Sequence, residues 1–193
     1  MIKIIKTTAL TLMFWFIKID VQIDMNFLFL FLYMLNEEEL ARYNRQILLV
    51  GENKQKMLKK KSVLQIGAGG LGSPLAYYLV SSGVGKLVIY EDDKVDLSNL
   101  GRQILYSSLD QGKLKSEVIK ERLKKLNPNI DLVVRKERFT IQNADQIMKE
   151  EQFDYLVDAS DNFTTKFLVN DIGIKYNIPF TIAGIEAYEG QII

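Results

Sequence analysis

Residues 62–72 read SVLQIGAGGLG, and this stretch decides how the rest of the chain is read. SVLQI (62–66) is a short apolar run bounded by glycine, the pattern of a buried strand. Gly67, Gly69 and Gly72 then satisfy the spacing G-x-G-x-x-G. Glycines placed so allow a tight turn and a close approach of backbone N–H groups to a nucleotide at the N-terminus of the next helix. That helix shows itself in Leu71, Leu75 and Leu79 at a spacing of four, and Pro74 is tolerable in its first turn. Gly83 and Gly85 end it.

Strand-like and helix-like segments alternate onward from there. KLVIYE (86–91) is a second strand, and KLKSEVIKERLKKL (113–126) is an amphipathic helix stopped by NPN. DLVVRKERF (131–139) is a third strand, IQNADQIMKEE (141–151) a helix and FDYLVDA (153–159) a fourth strand. A helix beginning near Asn162 and a fifth strand, PFTIAG (179–184), complete the series. Upstream, EEELARYNRQILL (37–49) and NKQKMLKKK (53–61) read as two short helices, the lysine run being a solvated helix end. The expectation is an α/β fold, a doubly wound, mostly parallel, Rossmann-like sheet with an N-terminal helical segment. Ligands in such sheets sit outside the carboxyl ends of the strands.

Residues 1–33 differ in composition from everything that follows. Two apolar runs, ALTLMFWFI (9–17) and FLFLFLYML (27–35), are each too short to span a bilayer as a helix. No small-residue cleavage site follows the first, so a secretory leader is a poor reading. The expectation is that residues 1–33 are an extension outside the fold, with translation assigned from too far upstream. No membrane partner is expected.

With 25 Lys+Arg against 24 Asp+Glu, no net charge pulls the chain toward nucleic acid, and none is expected as a partner. Histidine and cysteine are both absent. This excludes disulfides, Cys/His zinc sites, thiolate nucleophiles and serine–histidine hydrolysis. Chemistry must run on carboxylates, Lys, Arg, backbone dipoles and a bound cofactor or hard metal ion. Cysteine-free composition suits a cytoplasmic location.

The glycine turn alone says only nucleotide, and it serves an NAD(P)-dependent oxidoreductase equally well. The acidic Glu91 and Asp93 follow the second strand, where a carboxylate meets a ribose hydroxyl. Beyond them Ser98, Asn99 and Arg102 share one loop, DLSNLGRQ (96–103). Lys115 opens the next helix, and Asp161 and Asn162 follow the fourth strand. Arg45 lies upstream in RYNRQ. Cationic side chains neutralise a polyphosphate and Asp161 is a hard oxygen ligand for Mg²⁺, a set that suits ATP better than a nicotinamide. Each residue also has a plainer reading: Arg45 as a surface charge, Lys115 as a solvated lysine, Asp161–Asn162 as a helix N-cap.

RYNRQILL, GAGGLGSPLAYYLVSSGVGKL, DLSNLGRQ, GKLKSE and DASDNFTTKFLVND, in this order, resemble the ThiF/MoeB/HesA adenylyltransferases, relatives of the ubiquitin-activating enzymes. The resemblance runs from about Leu40 to Ile193 and implies an ATP-binding adenylation domain over 34–193. It implies that Gly70 contacts the nucleotide and that Glu91 binds the ribose where the family usually has Asp. Ser98, Asn99, Arg102 and Lys115 would line the phosphate site. Asp161 would hold Mg²⁺ with Asn162 beside it, and Arg45 would approach the phosphates, in some relatives from the partner subunit of a homodimer. Arg45, Arg102, Lys115 and Asp161 are thus the expected catalytic set. Lys166 stands where Arg is common. Family members usually continue beyond EGQII with a C-x-x-C zinc pair, so the domain is expected to be incomplete at its C-terminus.

In the MoeB and ThiF branches the resemblance implies attack of a carboxylate on the α-phosphate of ATP. That carboxylate is the C-terminal glycine of a ubiquitin-like sulfur carrier for thiamine or molybdenum-cofactor synthesis. A tRNA or small-molecule carboxylate, or a non-catalytic nucleotide-binding remnant, are the alternatives. A chain begun at Met34 should express as solubly as the whole and bind ATP equally well. Loss of its folding, read by circular dichroism, would place residues 1–33 in the core.

Overall fold

The computed structural model describes residues 34–193, so the reading of 1–33 as dispensable lies outside the described residues. The chain divides between Asn36 and Glu37, and the unit from Glu37 to Ile193 holds every element below. Three short helices, α1 (Glu37–Arg42), α2 (Asn44–Val50) and α3 (Glu52–Leu58), precede β1 (Ser62–Ile66). Then follow α4 (Gly72–Ser82), β2 (Lys86–Tyr90), α5 (Lys115–Leu126), β3 (Asp131–Arg135) and α6 (Ala144–Glu150). The chain continues through β4 (Tyr155–Asp158), α7 (Phe163–Tyr176), β5 (Phe180–Glu186) and β6 (Glu189–Ile192). Among the described residues no helix is long and apolar enough to cross a membrane.

One sheet takes the order β3-β2-β1-β4-β5-β6, parallel throughout except for β6 against β5. The strand order reverses between β1 and β4, the switch point at which doubly wound sheets bind ligands. Register sharpens this: Ile66 pairs with both Tyr90 and Asp158, and Tyr90 pairs with Arg135. Four strands therefore end level, and the loops after them leave from one edge.

Both faces of the sheet are covered, which is why β1 and β2 read as continuous apolar runs rather than alternating ones. Successive side chains point to opposite faces. Val63, Leu87 and Ile89 pack with Ala76, Val80, Val118, Ile119 and Leu123 of α4 and α5. Their neighbours Leu64, Ile66 and Val88 pack with Ala144, Ile147, Val169 and Ile172 of α6 and α7.

The structure differs from the sequence reading at several elements. The first predicted helix is two helices, because Tyr43 leaves helical geometry between them and buries its ring. On α4 the fully buried face is Gly72, Ser73, Ala76 and Val80, whereas Leu75 and Leu79 flank the core. Small residues let that helix lie close to the sheet. β3 ends at Arg135, so residues 136–139 are loop rather than strand. β6 was not expected; a turn at Ala187, with φ 51, sends it back along β5. The lysine run is not simply solvated, since Lys59 Nζ pairs with the buried Glu39 at 2.6 Å and Lys61 Nζ with Asp154 at 2.6 Å.

The N-terminal helices are fastened to the strands' amino-terminal edge by a polar network. Asn127 Nδ2 donates to Tyr43 Oη and to the Val80 carbonyl, both at 2.8 Å. Gln46 and Gln55 both donate to the Ser82 carbonyl, and Arg42 donates to that of Leu126 at 2.7 Å. Asn127→Ala should therefore cost about 2 kcal/mol, through lost bonds and a tyrosine hydroxyl left without its partner. In thermal melts that is a fall of about 4–8 °C for a domain of this size. A fall under one degree would remove this network from the docking of the helices.

Candidate active site

The crevice at the switch point is built around the glycine turn. Gly67 has φ +86, and a Cβ there would stand 3.0 Å from the Ala159 carbonyl at the end of β4. A Cβ on Gly72 would stand 2.2 Å from the Gly67 carbonyl, so no larger residue fits while the turn keeps its shape. Gln65 completes the turn from beneath. Its Nε2 donates to the carbonyls of Gly67, at 2.9 Å, and Gly72, at 3.0 Å.

The Ala68 peptide groups are held on both sides. Its N–H donates to Glu91 Oε2 at 2.8 Å, while its carbonyl accepts from Ser73 Oγ and Tyr106 Oη, each at 2.9 Å. Glu91 is buried, and its other oxygen accepts from the Asp93 N–H at 3.0 Å. The longer side chain thus reaches the turn itself, with lone pairs remaining for a ribose hydroxyl.

The loop after β2 folds across the turn. Asp96 caps a short 3₁₀ turn at Leu97–Asn99, accepting from the amide and hydroxyl of Ser98 and donating its own N–H to Asn99 Oδ1. Those two bonds from Ser98 hold the Asp96 carboxyl below its ordinary range. Ser98 and Asn99 accordingly shape the loop. Arg102 lies with its stem 3.5 Å from where a Gly70 Cβ would be and donates to the Ser98 carbonyl at 3.1 Å. The buried Gln103 lies beside Gly69.

Lys115 opens α5 but is buried, not solvated. Its ammonium pairs with Asp93 at 3.1 Å and sits 5.9 Å from the centre of the Tyr106 ring. Across the switch point, Asp161 is exposed at the end of the β4 loop. Asn162 Oδ1 accepts from the Thr165 N–H and caps α7, which fulfils the plainer reading for that residue. Arg138 donates to Asp92 at 2.8 Å, and Asp92, Asp93 and Asp161 hold its charge more firmly, in that order. The carboxylates of Glu91, Asp92 and Asp93 lie close together, but each already has a donor of its own.

Arg45 is the residue the fold does not bring in. Its neighbour Gln46 bonds Ser82 at the far end of α4, so Arg45 sits near the strands' amino-terminal edge. Eleven residues of helix put that edge about 15 Å from the glycine turn. Its side chain is exposed.

Sequence reasoning missed Gln65, Gln103, Tyr106 and Asp158. Gln65 and Asp158 carried a signal: each is a polar residue inside an otherwise apolar strand. Asp158 is fully buried, with Oδ1 accepting from the Ser160 amide and hydroxyl and Oδ2 from Lys166 at 2.7 Å. The Lys166 ammonium also donates to the Ser160 and Ala183 carbonyls, both at 2.7 Å. The clamp fixes the loop that carries Asp161.

The chain belongs to the ThiF family, whose profile matches residues 43–193. It is 44% identical over 158 residues to a sulfur carrier protein adenylyltransferase of Thermus thermophilus, covering 81% of this chain and 58% of that protein. It is 41% identical to the adenylyltransferase and sulfurtransferase MOCS3 of Aedes aegypti, covering 82% of this chain and 36% of the other. The chain thus spans about half the length, or less, of these relatives. Among solved structures it is similar to E. coli tRNA N6-threonylcarbamoyladenosine dehydratase, TcdA, in complex with ATP. That likeness has TM-score 0.72 and 26% identity, over 76% of this chain and 60% of the other.

Lys166→Met would leave the Asp158 carboxylate buried without its cation, and urea denaturation should show a loss of about 3 kcal/mol. A loss below 1 kcal/mol would mean that the loop is held by other contacts.

Proposed function

We propose that this chain forms the nucleotide-binding part of an ATP-dependent adenylyltransferase acting on the C-terminal carboxylate of a ubiquitin-like sulfur-carrier protein. What carries the reading is one arrangement: Arg102, Lys115 and Asp161 disposed around a glycine turn at the switch point of the sheet. The relatives in sulfur-carrier activation, at 44% and 41% identity, support the substrate class.

The carrier carboxylate oxygen attacks the α-phosphorus of ATP. A bond from oxygen to phosphorus forms, the bond to the bridging oxygen breaks, and pyrophosphate leaves. The products are an acyl-adenylate and pyrophosphate. The nucleophile is already anionic, so the protein needs no general base, which fits a chain without histidine. Catalysis is alignment and neutralisation of phosphate charge. Backbone N–H groups from Gly69 to Gly72 face the phosphates, those of Gly67 and Ala68 being taken by the Tyr90 carbonyl and by Glu91. Arg102 and Lys115 supply cations, while Glu91 and Asp93 take the ribose hydroxyls. Ser98 and Asn99 hold Arg102 in place.

One exposed carboxylate beside a polyphosphate is the protein share that Mg²⁺ ordinarily takes, and Asp161 fits it. Such an ion would add neutralising charge on the phosphates. Arg45 stands too far from its own turn, so we assign it to the site of a second copy in a homodimer. The protein works in the cytoplasm, where ATP is at hand. Likeness to TcdA favours a second reading, adenylation of a carboxylate carried by tRNA, and the same assay separates the two.

ATP–pyrophosphate exchange should start on addition of a carrier ending in glycine, and Asp161→Ala should lower it by about a hundredfold or more. Exchange driven only by tRNA would overturn the carrier assignment. Arg45→Ala alone should also be inactive, but mixing it with Asp161→Ala should restore about a quarter of the activity. Half of exchanged dimers are mixed, and one of their two sites is intact. No recovery among exchanging subunits would place Arg45 outside the site.

A further inference from the structure

Tyr106 has no part in the roles assigned above, yet it touches two of the groups that would meet phosphate. It is buried, with 6% of its surface exposed. Its hydroxyl donates to the Ala68 carbonyl in the middle of the glycine turn, and its ring carries the Lys115 ammonium 5.9 Å from its centre. The backbone closes the same circuit, since the Lys115 N–H donates to the Asp93 carbonyl at 2.9 Å and the Asp93 N–H to Glu91, which holds the Ala68 N–H.

We propose that Tyr106 is a positioning residue of the nucleotide site, fixing the separation between the amides of the glycine turn and the Lys115 cation so that both address the same phosphates. This rests on the nucleotide reading above. A phosphate oxygen accepts from turn and ammonium together only if their spacing holds to a fraction of an ångström, and neither group fixes it alone. The turn is a flexible run of glycines, and lysine is a long side chain with several rotatable bonds. A rigid ring with one polar end fits between them. Its role as donor is secure, because burial first, and then the charges of Glu91 and Asp93, push the hydroxyl's proton affinity far above its ordinary value. Ser73 donates to the same carbonyl but from within α4, so it ties the turn to its own helix and not to Lys115.

The test compares Tyr106→Phe, which keeps the ring under Lys115 and loses the donor, with Tyr106→Leu, which loses both. Binding of ATP and of adenosine is measured by isothermal titration on the whole chain, with melting temperature followed in parallel. Tyr106→Phe should weaken ATP binding about fivefold, the worth of one hydrogen bond. Tyr106→Leu should weaken it about tenfold more, through loss of the cation–ring contact in a buried setting. Adenosine, which lacks phosphate, should bind both variants as it binds the parent. Unchanged ATP binding in Tyr106→Phe would overturn the proposal, as would equal losses for ATP and adenosine, which mark a general loosening of the fold. A parent chain that binds adenosine no worse than ATP would overturn the phosphate reading itself, and the proposal with it.

Discussion

The Ala68 peptide groups are the point on which the crevice depends. Glu91 takes the N–H, and Ser73 and Tyr106 take the carbonyl, so a turn made of glycine is held in one conformation by three side chains. Glycine makes such a turn sterically possible but contributes nothing to keeping it, since its unfolded state is the most mobile of any residue. Order has to come from neighbours. Here it comes from the end of β2, from the first turn of α4 and from the loop before α5, three elements that the sheet brings level.

That level edge follows from register. Because β1 pairs with β2 and β4 so that Ile66, Tyr90 and Asp158 stand side by side, everything after those residues shares one rim. The buried glutamine of β1 then acts on the turn from below, and the buried aspartate of β4 acts on the facing loop. Both are polar groups in a hydrophobic layer, Asp158 hydrogen-bonded on both oxygens and Gln65 through its Nε2 alone, with its Oε1 buried and unpartnered among the described residues. Packing and site geometry are here the same fact: the strands that form the core carry the two polar residues that shape the rim.

Much of this was legible beforehand. The alternation of apolar strands with amphipathic helices specified the doubly wound sheet, and the glycine spacing specified where its crevice lies. Motif order suggested Arg102 and Lys115 as neighbours of the turn; Arg102 lies against Gly70, and Lys115 beside the Tyr106 ring whose hydroxyl meets Ala68. What escaped was whatever depends on three-dimensional partners. Lys115 was named for the phosphate site, but its burial against Tyr106 and Asp93 was not foreseen, because neither contact has a sequence period. Tyr43 broke a helix that local propensity alone would continue, because its ring is buried and its hydroxyl meets Asn127 far along the chain. β6 escaped because its four residues, EGQI, three of them polar or glycine, have no strand signature apart from the partner they return to.

The Lys166 clamp has a consequence for how this sequence can drift. An ammonium has three protons, and the cup around it offers three oxygens, from Asp158, Ser160 and Ala183. Supply and demand match. Arginine, common at this position in the resembling family, brings five N–H groups in a flat fork and would carry donors for which this cup has no acceptor. Each polar group so stranded costs about 1–3 kcal/mol. Exchange between the two cations is therefore not neutral here, despite equal charge, and positions 158, 160, 166 and 183 should change together or not at all.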